Sequence, residues 1–134
     1  MKMSTRGRYA LVVMIDLAKN YNTGEYLSLK EISEKENISL KYLEKIMMLL
    51  NKAKFLDVSR GNNGGYRLIK EPKEYKVGDI LRLTEGSLSP VACLADDAKE
   101  CQMRAECRTI HMWEEFYKLE HDFFYSKKLS DLCK

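Results

Sequence analysis

The apolar positions between Leu27 and Ile69 change period partway along, and the change separates two kinds of element. Ser28 stands three residues before Glu31, the spacing of a capping box, which predicts a helix start. Leu29 and Ile32 are its inward positions, and Asn37, tolerant of left-handed backbone, is its predicted end. Ser39 can cap a second helix, in which Leu40, Leu43, Ile46, Met47 and Leu50 recur at three- and four-residue intervals and form one apolar face. Helices so closely joined are a helix-turn-helix candidate. Beyond Ala53 the period falls to two, in Leu56, Val58 and Arg60. The run Gly61-Asn62-Asn63-Gly64-Gly65 is the densest turn signal in the chain, and Tyr66 to Ile69 can return as a second strand. A helix-turn-helix followed by a basic hairpin is a winged helix-turn-helix, a DNA-binding unit.

The flanking patterns complete a mainly α fold with a small β-hairpin wing. Thr5 to Lys19 is helical by pattern, and its near-continuous apolar run from Tyr9 to Ile15 predicts burial on most sides. Lys76 to Thr84 reads as a short helix with Val77, Ile80 and Leu81 inward, broken by Gly86 to Pro90. Residues 91–108 read as a loop, and a long helix is expected from Glu106 to about Tyr125. That helix has two apolar faces, Ile110, Trp113, Tyr117 and Phe124 on one side, Met112, Phe116, Leu119 and Phe123 on the other. One face can serve the chain's own core and the other a partner; the competing reading buries both within one subunit. A short element at Leu129–Leu132 lies in a polar C-terminal stretch expected to be mobile. The implied division is a winged helix-turn-helix domain over 1–84, a cysteine-bearing loop over 85–108, and a C-terminal dimerisation helix with its tail over 109–134.

Composition narrows the function. The 134 residues are 45% hydrophobic and 32% charged, as in a folded soluble domain. No apolar run approaches the roughly 20 residues of a membrane span, and no signal peptide is visible, so a cytoplasmic location without a membrane partner is expected. The net charge of +3 conceals an asymmetry. Residues 1–70 carry 13 Lys and Arg against 7 Asp and Glu, whereas residues 71–134 carry 10 against 13. The basic half holds the helix-turn-helix, as a phosphate-binding surface requires.

Within that half, Ser39, Lys41 and Tyr42 occupy the first turn of the second helix, the part of a recognition helix that reaches the bases. Lys45 and Met48 continue the same outward face. Glu44 can accept from cytosine N4, although a surface ion pair is an equal alternative. Arg60, followed by Gly61, projects from a tight turn suited to a narrow minor groove. Thr5, Arg6 and Arg8 open the first helix, where hydroxyls and guanidinium groups suit a phosphate or serve as ordinary caps. The glycine-rich turn lacks the Lys-Ser/Thr of a nucleotide-binding loop.

Cys93, Cys101 and Cys107 lie in the acidic half, with seven and five residues between them; Cys133 stands apart. Clustered cysteines in a cytosolic chain point to metal or redox chemistry rather than disulfides. The spacing is not that of a short zinc knuckle, and thiolates spread over a loop can close around a [2Fe–2S] cluster. Zinc and simple thiol redox sensing are the alternatives.

The segments SLKYLEKI and RGNNGGYRL, the opening MKMSTRGRYALVVMIDLA, the cysteines near residue 100 and the long helix after them resemble the IscR, CymR and NsrR group of bacterial winged-helix transcription regulators. The resemblance spans nearly the whole chain. It implies a homodimer formed through the long helix, a double-stranded DNA operator, and control of genes for iron–sulfur cluster assembly or cysteine metabolism. IscR-like members hold a [2Fe–2S] cluster with three cysteines in this loop, which maps onto Cys93, Cys101 and Cys107. Their usual gap of five residues is met between Cys101 and Cys107 but not before Cys101. Their histidine ligand would fall at Ile110; His111 is one residue later, a rotation of about 100° on a helix. The acidic ligand other members carry near the N-terminus falls at Arg8. Asp96, Asp97, Glu100, Glu106 and Cys133 are further candidates for the fourth position. CymR-like members lack the cluster and respond through a partner enzyme; the three cysteines argue against that subtype.

The expected function is therefore a DNA-binding regulator without a small-molecule substrate. An enzyme is disfavoured: there is no C-x-x-C, no Ser/His/Asp set, and only two histidines. A winged helix used purely for protein interaction would lack the basic half.

Overall fold

The computed structural model describes residues 2–134. Helix α1 spans Thr5–Lys19, α2 Leu29–Glu36 and α3 Leu40–Lys52; strands β1 (Leu56–Ser59) and β2 (Gly65–Leu68) follow, then α4 (Val77–Glu85) and α5 (Ile110–Ser126). Ala10, Val13, Met14 and Leu17 of α1, Ile32 of α2, Leu43, Ile46, Met47 and Leu50 of α3 and Ile80 of α4 form one buried core. Expulsion of this apolar surface from water holds the helices together.

The helix-turn-helix rests on local signals. Ser28 Oγ accepts from Glu31 N at 3.1 Å while Glu31 Oε1 accepts from Ser28 N, the complete capping box. Asn37 ends α2 in the left-handed region at φ 54°, ψ 46°. Ser39 Oγ accepts from Tyr42 N at 3.2 Å and starts α3. Leu40 departs from the expected apolar face, being 46% exposed. At 100° per residue it lies about 70° from the centre of the stripe formed by Leu43, Ile46, Met47 and Leu50.

The wing is an antiparallel pair in the register Leu56↔Leu68, Asp57↔Arg67, Val58↔Tyr66 and Ser59↔Gly65. Leu56 is buried but Val58, on the same side two residues on, is 41% exposed. The hairpin runs outward past the core, so the alternation ceases to mean burial toward its tip. Leu27 adds a further bridge, exchanging hydrogen bonds with Tyr66 at 2.8 and 2.9 Å. Gly65, at φ 150°, lies against the Leu27 carbonyl, where a Cβ would collide with backbone.

Helix α5 starts at Ile110, four residues later than the pattern predicts. Arg104–Glu106 form a 3-10 turn and Cys107 is extended, so the helix begins only where its first buried apolar side chain, Ile110, can be covered. Tyr117, Phe124 and Tyr125 pack with Val77, Leu81 and Leu88 into a second cluster between α5 and α4. Gly78 lets the helices approach, since a Cβ there would enter the Tyr125 ring. The other face of α5 is bare: Leu119 is 64% and Phe123 57% exposed, and Met112 and Phe116 are also exposed.

The C-terminal stretch is not free, contrary to its polar composition. Leu129 is fully buried in the main core, Leu129 N donates to Tyr75 O at 2.9 Å, and Val77 N donates to Lys127 O at 2.9 Å. Cys133 is half-buried against the same core, its thiol donating to Leu129 O at 3.3 Å, and burial pushes that thiol up. One apolar anchor in a polar segment is enough to dock it, and pattern counting underweights a single residue.

Candidate nucleic-acid interface

On α3 the side away from the core carries Lys41, Lys45, Met48 and Lys52, all exposed, with Glu44 exposed beside them. At 100° per residue the first four fall within about 30° of the direction opposite the buried stripe. Tyr42 does not share this face fully: it is half-buried, its ring edge-on to Tyr9 at 5.6 Å between centroids. Ser39 is exposed, but its oxygen is already engaged as the helix cap.

The N-terminus of α1 is filled from within. Glu85 Oε1 accepts from both the backbone N–H (at 3.2 Å) and the hydroxyl of Ser4, and Ser4 Oγ accepts from Gly7 N at 3.0 Å. A carboxylate already complements the positive end of the helix and competes there with a phosphate. Arg6 Nη2 donates to Thr84 O at 2.6 Å, tying α1 to the end of α4. Arg8 and Thr5 stay exposed, with Arg8 Nη2 donating to Thr5 Oγ1 at 3.3 Å. Arg6 is exposed as well, but its bond to Thr84 leaves Arg8 and Thr5 the freer of the expected phosphate contacts on α1.

Arg60 is exposed at the root of the wing turn, and Gly61 takes φ 106°. The hairpin is clamped to the loop before α2 by a network that sequence patterning did not reveal. Tyr26 OH donates to Asp57 Oδ2 at 2.9 Å, Arg67 Nε donates to the same oxygen at 2.9 Å, and Arg67 Nη1 donates to Gly24 O at 2.7 Å. The Arg67 guanidinium also lies 4.3 Å from the centre of the Tyr26 ring. Hydrogen bonds from Tyr26 and Arg67 hold the Asp57 carboxyl below its usual range, and the same bond raises the Tyr26 phenol. Only the Asp57↔Arg67 half was open to sequence reading, as an opposite-charge pair facing across the hairpin once its register is set.

The cysteine loop is less assembled. Cys93 and Cys101 are exposed, Cys107 is half-buried, and among the described residues no three His, Cys, Asp or Glu side chains gather as a metal site. Cys101 and exposed His111 share a surface depression of about 570 Å³ with Arg104; Cys93 and Cys107 do not line it. The backbone N–H and hydroxyl of Thr109 lower the Cys107 thiol, with smaller help from Ile110 N–H and Arg104. Arg104 itself pairs with Glu114 at 2.8 Å, and Asp96 pairs with Arg82 of α4. In chemical kind the thiols suit soft metals or iron–sulfur iron, and their loop is long enough to move, but the donors stand apart.

Residues 3–134 match the Rrf2 family, described as iron-dependent transcriptional regulators. The chain is 34% identical over 136 residues to the HTH-type transcriptional regulator IscR of Cereibacter sphaeroides, covering all of this chain and 88% of that one. It is 45% identical over 97 residues to CymR of Bacillus subtilis, covering 72% and 70% respectively. The solved structure of CymR, described as the global cysteine regulator of B. subtilis, superposes with a TM-score of 0.80 at 35% identity, over 99% of this chain and 96% of that one. The helix-turn-helix with its clamped wing therefore sits in a protein related throughout its length to transcription regulators rather than enzymes, and the chain belongs to the Rrf2 family.

Proposed function

We propose that this chain acts as a homodimer that binds a specific double-stranded DNA site and changes its affinity with the state of Cys93, Cys101 and Cys107. The observation that carries the DNA reading is the exposed stripe of Lys41, Lys45 and Lys52 on α3, set beside a wing that presents Arg60. The first turn of α3 enters the major groove, with Lys41 and Glu44 offering a donor and an acceptor to base edges. Arg60 follows into the adjacent minor groove, and Arg8 and Thr5 hold phosphate. The bare face of α5 is covered by the same face of a second copy, an isologous contact that places two reading heads on one duplex.

In the loop, Cys93, Cys101 and Cys107 would hold a [2Fe–2S] cluster once the loop draws them together, with His111 the candidate fourth donor; when bound, the cluster would supply a redox- and iron-sensitive signal. The loop is tied to α4 through Asp96 and Arg82, and α4 to α1 through Thr84, Glu85, Arg6 and Ser4. A rearranged loop can thereby bias the winged domain. A second reading, thiol redox sensing without a cluster, draws on Cys107, whose thiol the Thr109 N–H and hydroxyl hold below its ordinary value. By relation to IscR and CymR, the regulated genes concern cluster assembly or cysteine supply.

Anaerobically purified protein tests both readings. Iron and acid-labile sulfide with a visible chromophore are expected for the cluster; their absence, with DNA binding that changes on mild oxidation, favours the thiol reading. Stoichiometric zinc would assign a structural site. Failure to enrich any sequence from a random duplex library would overturn the DNA reading.

A further inference from the structure

The lysine stripe of α3 is interrupted by one apolar side chain. Met48 is 71% exposed, although it lies between Lys41, Lys45 and Lys52 on the outward face. Across from it Val58 of β1 is 41% exposed. Both line a depression of about 340 Å³ between α3 and the wing, together with Asn51, Ser59 and Arg60. No carboxylate lines this depression. The other run of bare apolar residues, Met112, Phe116, Leu119 and Phe123, lies on α5.

An exposed thioether and an isopropyl group on a cationic surface call for an occupant that is negative in bulk and apolar at one point. DNA has one such group on its base edges. The C5-methyl of thymine stands in the major groove on the side nearest its own strand's backbone. A recognition helix in the major groove and a wing in the adjacent minor groove straddle that backbone ridge. In the pose proposed above, the depression between them lies over that ridge, beside which a thymine methyl emerges. Asn51 in the same depression can bond the N6 and N7 edge of an adenine, and an Arg such as Arg60 favours the narrow minor groove of A·T-rich sequence. All three preferences point to the same kind of base pair.

We infer that Met48 and Val58 form a reader for a thymine methyl group at the junction of major and minor groove in each half-site. The inference rests on the DNA reading proposed above and names a base that reading leaves open.

The test uses the full-length protein and a duplex enriched from a random library. Each thymine of the half-site is replaced in turn by deoxyuridine, which removes only the methyl. At one thymine per half-site the affinity of the wild-type protein should fall about four-fold, and about 15-fold when both half-sites are changed, the loss of one buried methyl-sized group each time. In Met48→Ala, and in Val58→Thr, which keeps the shape but exchanges one methyl for a hydroxyl, the same replacement should cost less than two-fold, a coupling that double-mutant cycles measure. Both positions are exposed, so circular dichroism should show unchanged folding. An enriched site without thymine, no sensitive thymine, or an undiminished penalty in both variants overturns the inference and leaves the DNA reading standing. Failure to enrich any sequence overturns both.

Discussion

The Tyr26 hydroxyl donates to the Asp57 carboxylate across 2.9 Å, joining the loop before the helix-turn-helix to the first strand of the wing. Arg67 closes the triangle from the opposite strand. The wing is thereby held at one angle to α2, and the angle decides whether Arg60 and the first turn of α3 engage one duplex together. Asp57→Asn should loosen this setting. Because Asp57 and Arg67 both keep 38% of their side-chain surface in water, the stability cost should stay below about 1 kcal/mol. Affinity for the enriched DNA site should fall more than the melting temperature implies, and Tyr26→Phe should show a milder form. Equal affinity for wild type and Asp57→Asn in a gel-shift titration would reject the positioning role. Since Asp57 is held below its usual range, its small contribution to stability is present above the ordinary Asp range and fades as pH falls through the lowered value.

Arg60→Ala should weaken specific binding by about 1–3 kcal/mol through loss of a groove-inserted cation, with no change in folding. The slope of affinity against salt should also fall by about one counterion. A titration at several salt concentrations checks both.

Phe123→Asp places a charge on the bare face of α5. A dimer at micromolar concentration is expected for wild type by analytical ultracentrifugation, and a monomer for the variant. DNA affinity should fall with it, because each half-site alone binds weakly. A wild-type protein sedimenting only as a 15.6 kDa species would exclude the dimer.

Ala at Cys93, Cys101 or Cys107 should abolish the visible chromophore, whereas Cys133→Ala should leave it. Cys133 packs against the core, hydrogen-bonded to Leu129 O, and burial pushes its thiol up, away from the thiolate a metal needs. His111→Ala should change the spectrum or shorten the cluster's lifetime if the side chain is a ligand, and leave both unchanged if it is not.

Asp16 is buried on α1, with Oδ1 accepting from Lys35 Nζ at 2.8 Å and Oδ2 without a partner. The unpartnered Asp16 oxygen can accept a proton from a neutral Glu36, and this, followed by burial and Asp16's charge, raises Glu36, while Lys35 and Lys19 oppose it. The neutral form of Glu36 is therefore favoured relative to a free glutamate. Its contribution is complete below the ordinary Glu range and is lost as pH rises through the raised value. Glu36→Gln, which mimics the neutral acid, should raise the melting temperature at pH 7 by about 2 °C, the response to roughly half a kcal/mol in a domain of this size. The gain should vanish near pH 4. Scanning calorimetry at the two pH values decides it.

The elements legible in the sequence are those built from neighbours. Ser28 and Glu31 are three residues apart, as are Ser39 and Tyr42, so their caps follow from spacing alone. The two faces of α5 likewise follow from a period of 3.6, but which of them the chain covers, that of Tyr117 and Phe124 against α4, does not. What joins these pieces was not legible. Tyr26 meets Asp57 across 31 positions and Ser4 meets Glu85 across 81, and no local period records such pairings. The late start of α5, the docking of Leu129 and the separation of the cysteine side chains belong to the same class. Each depends on which surface happens to cover a residue, and that is settled only when the whole chain has packed.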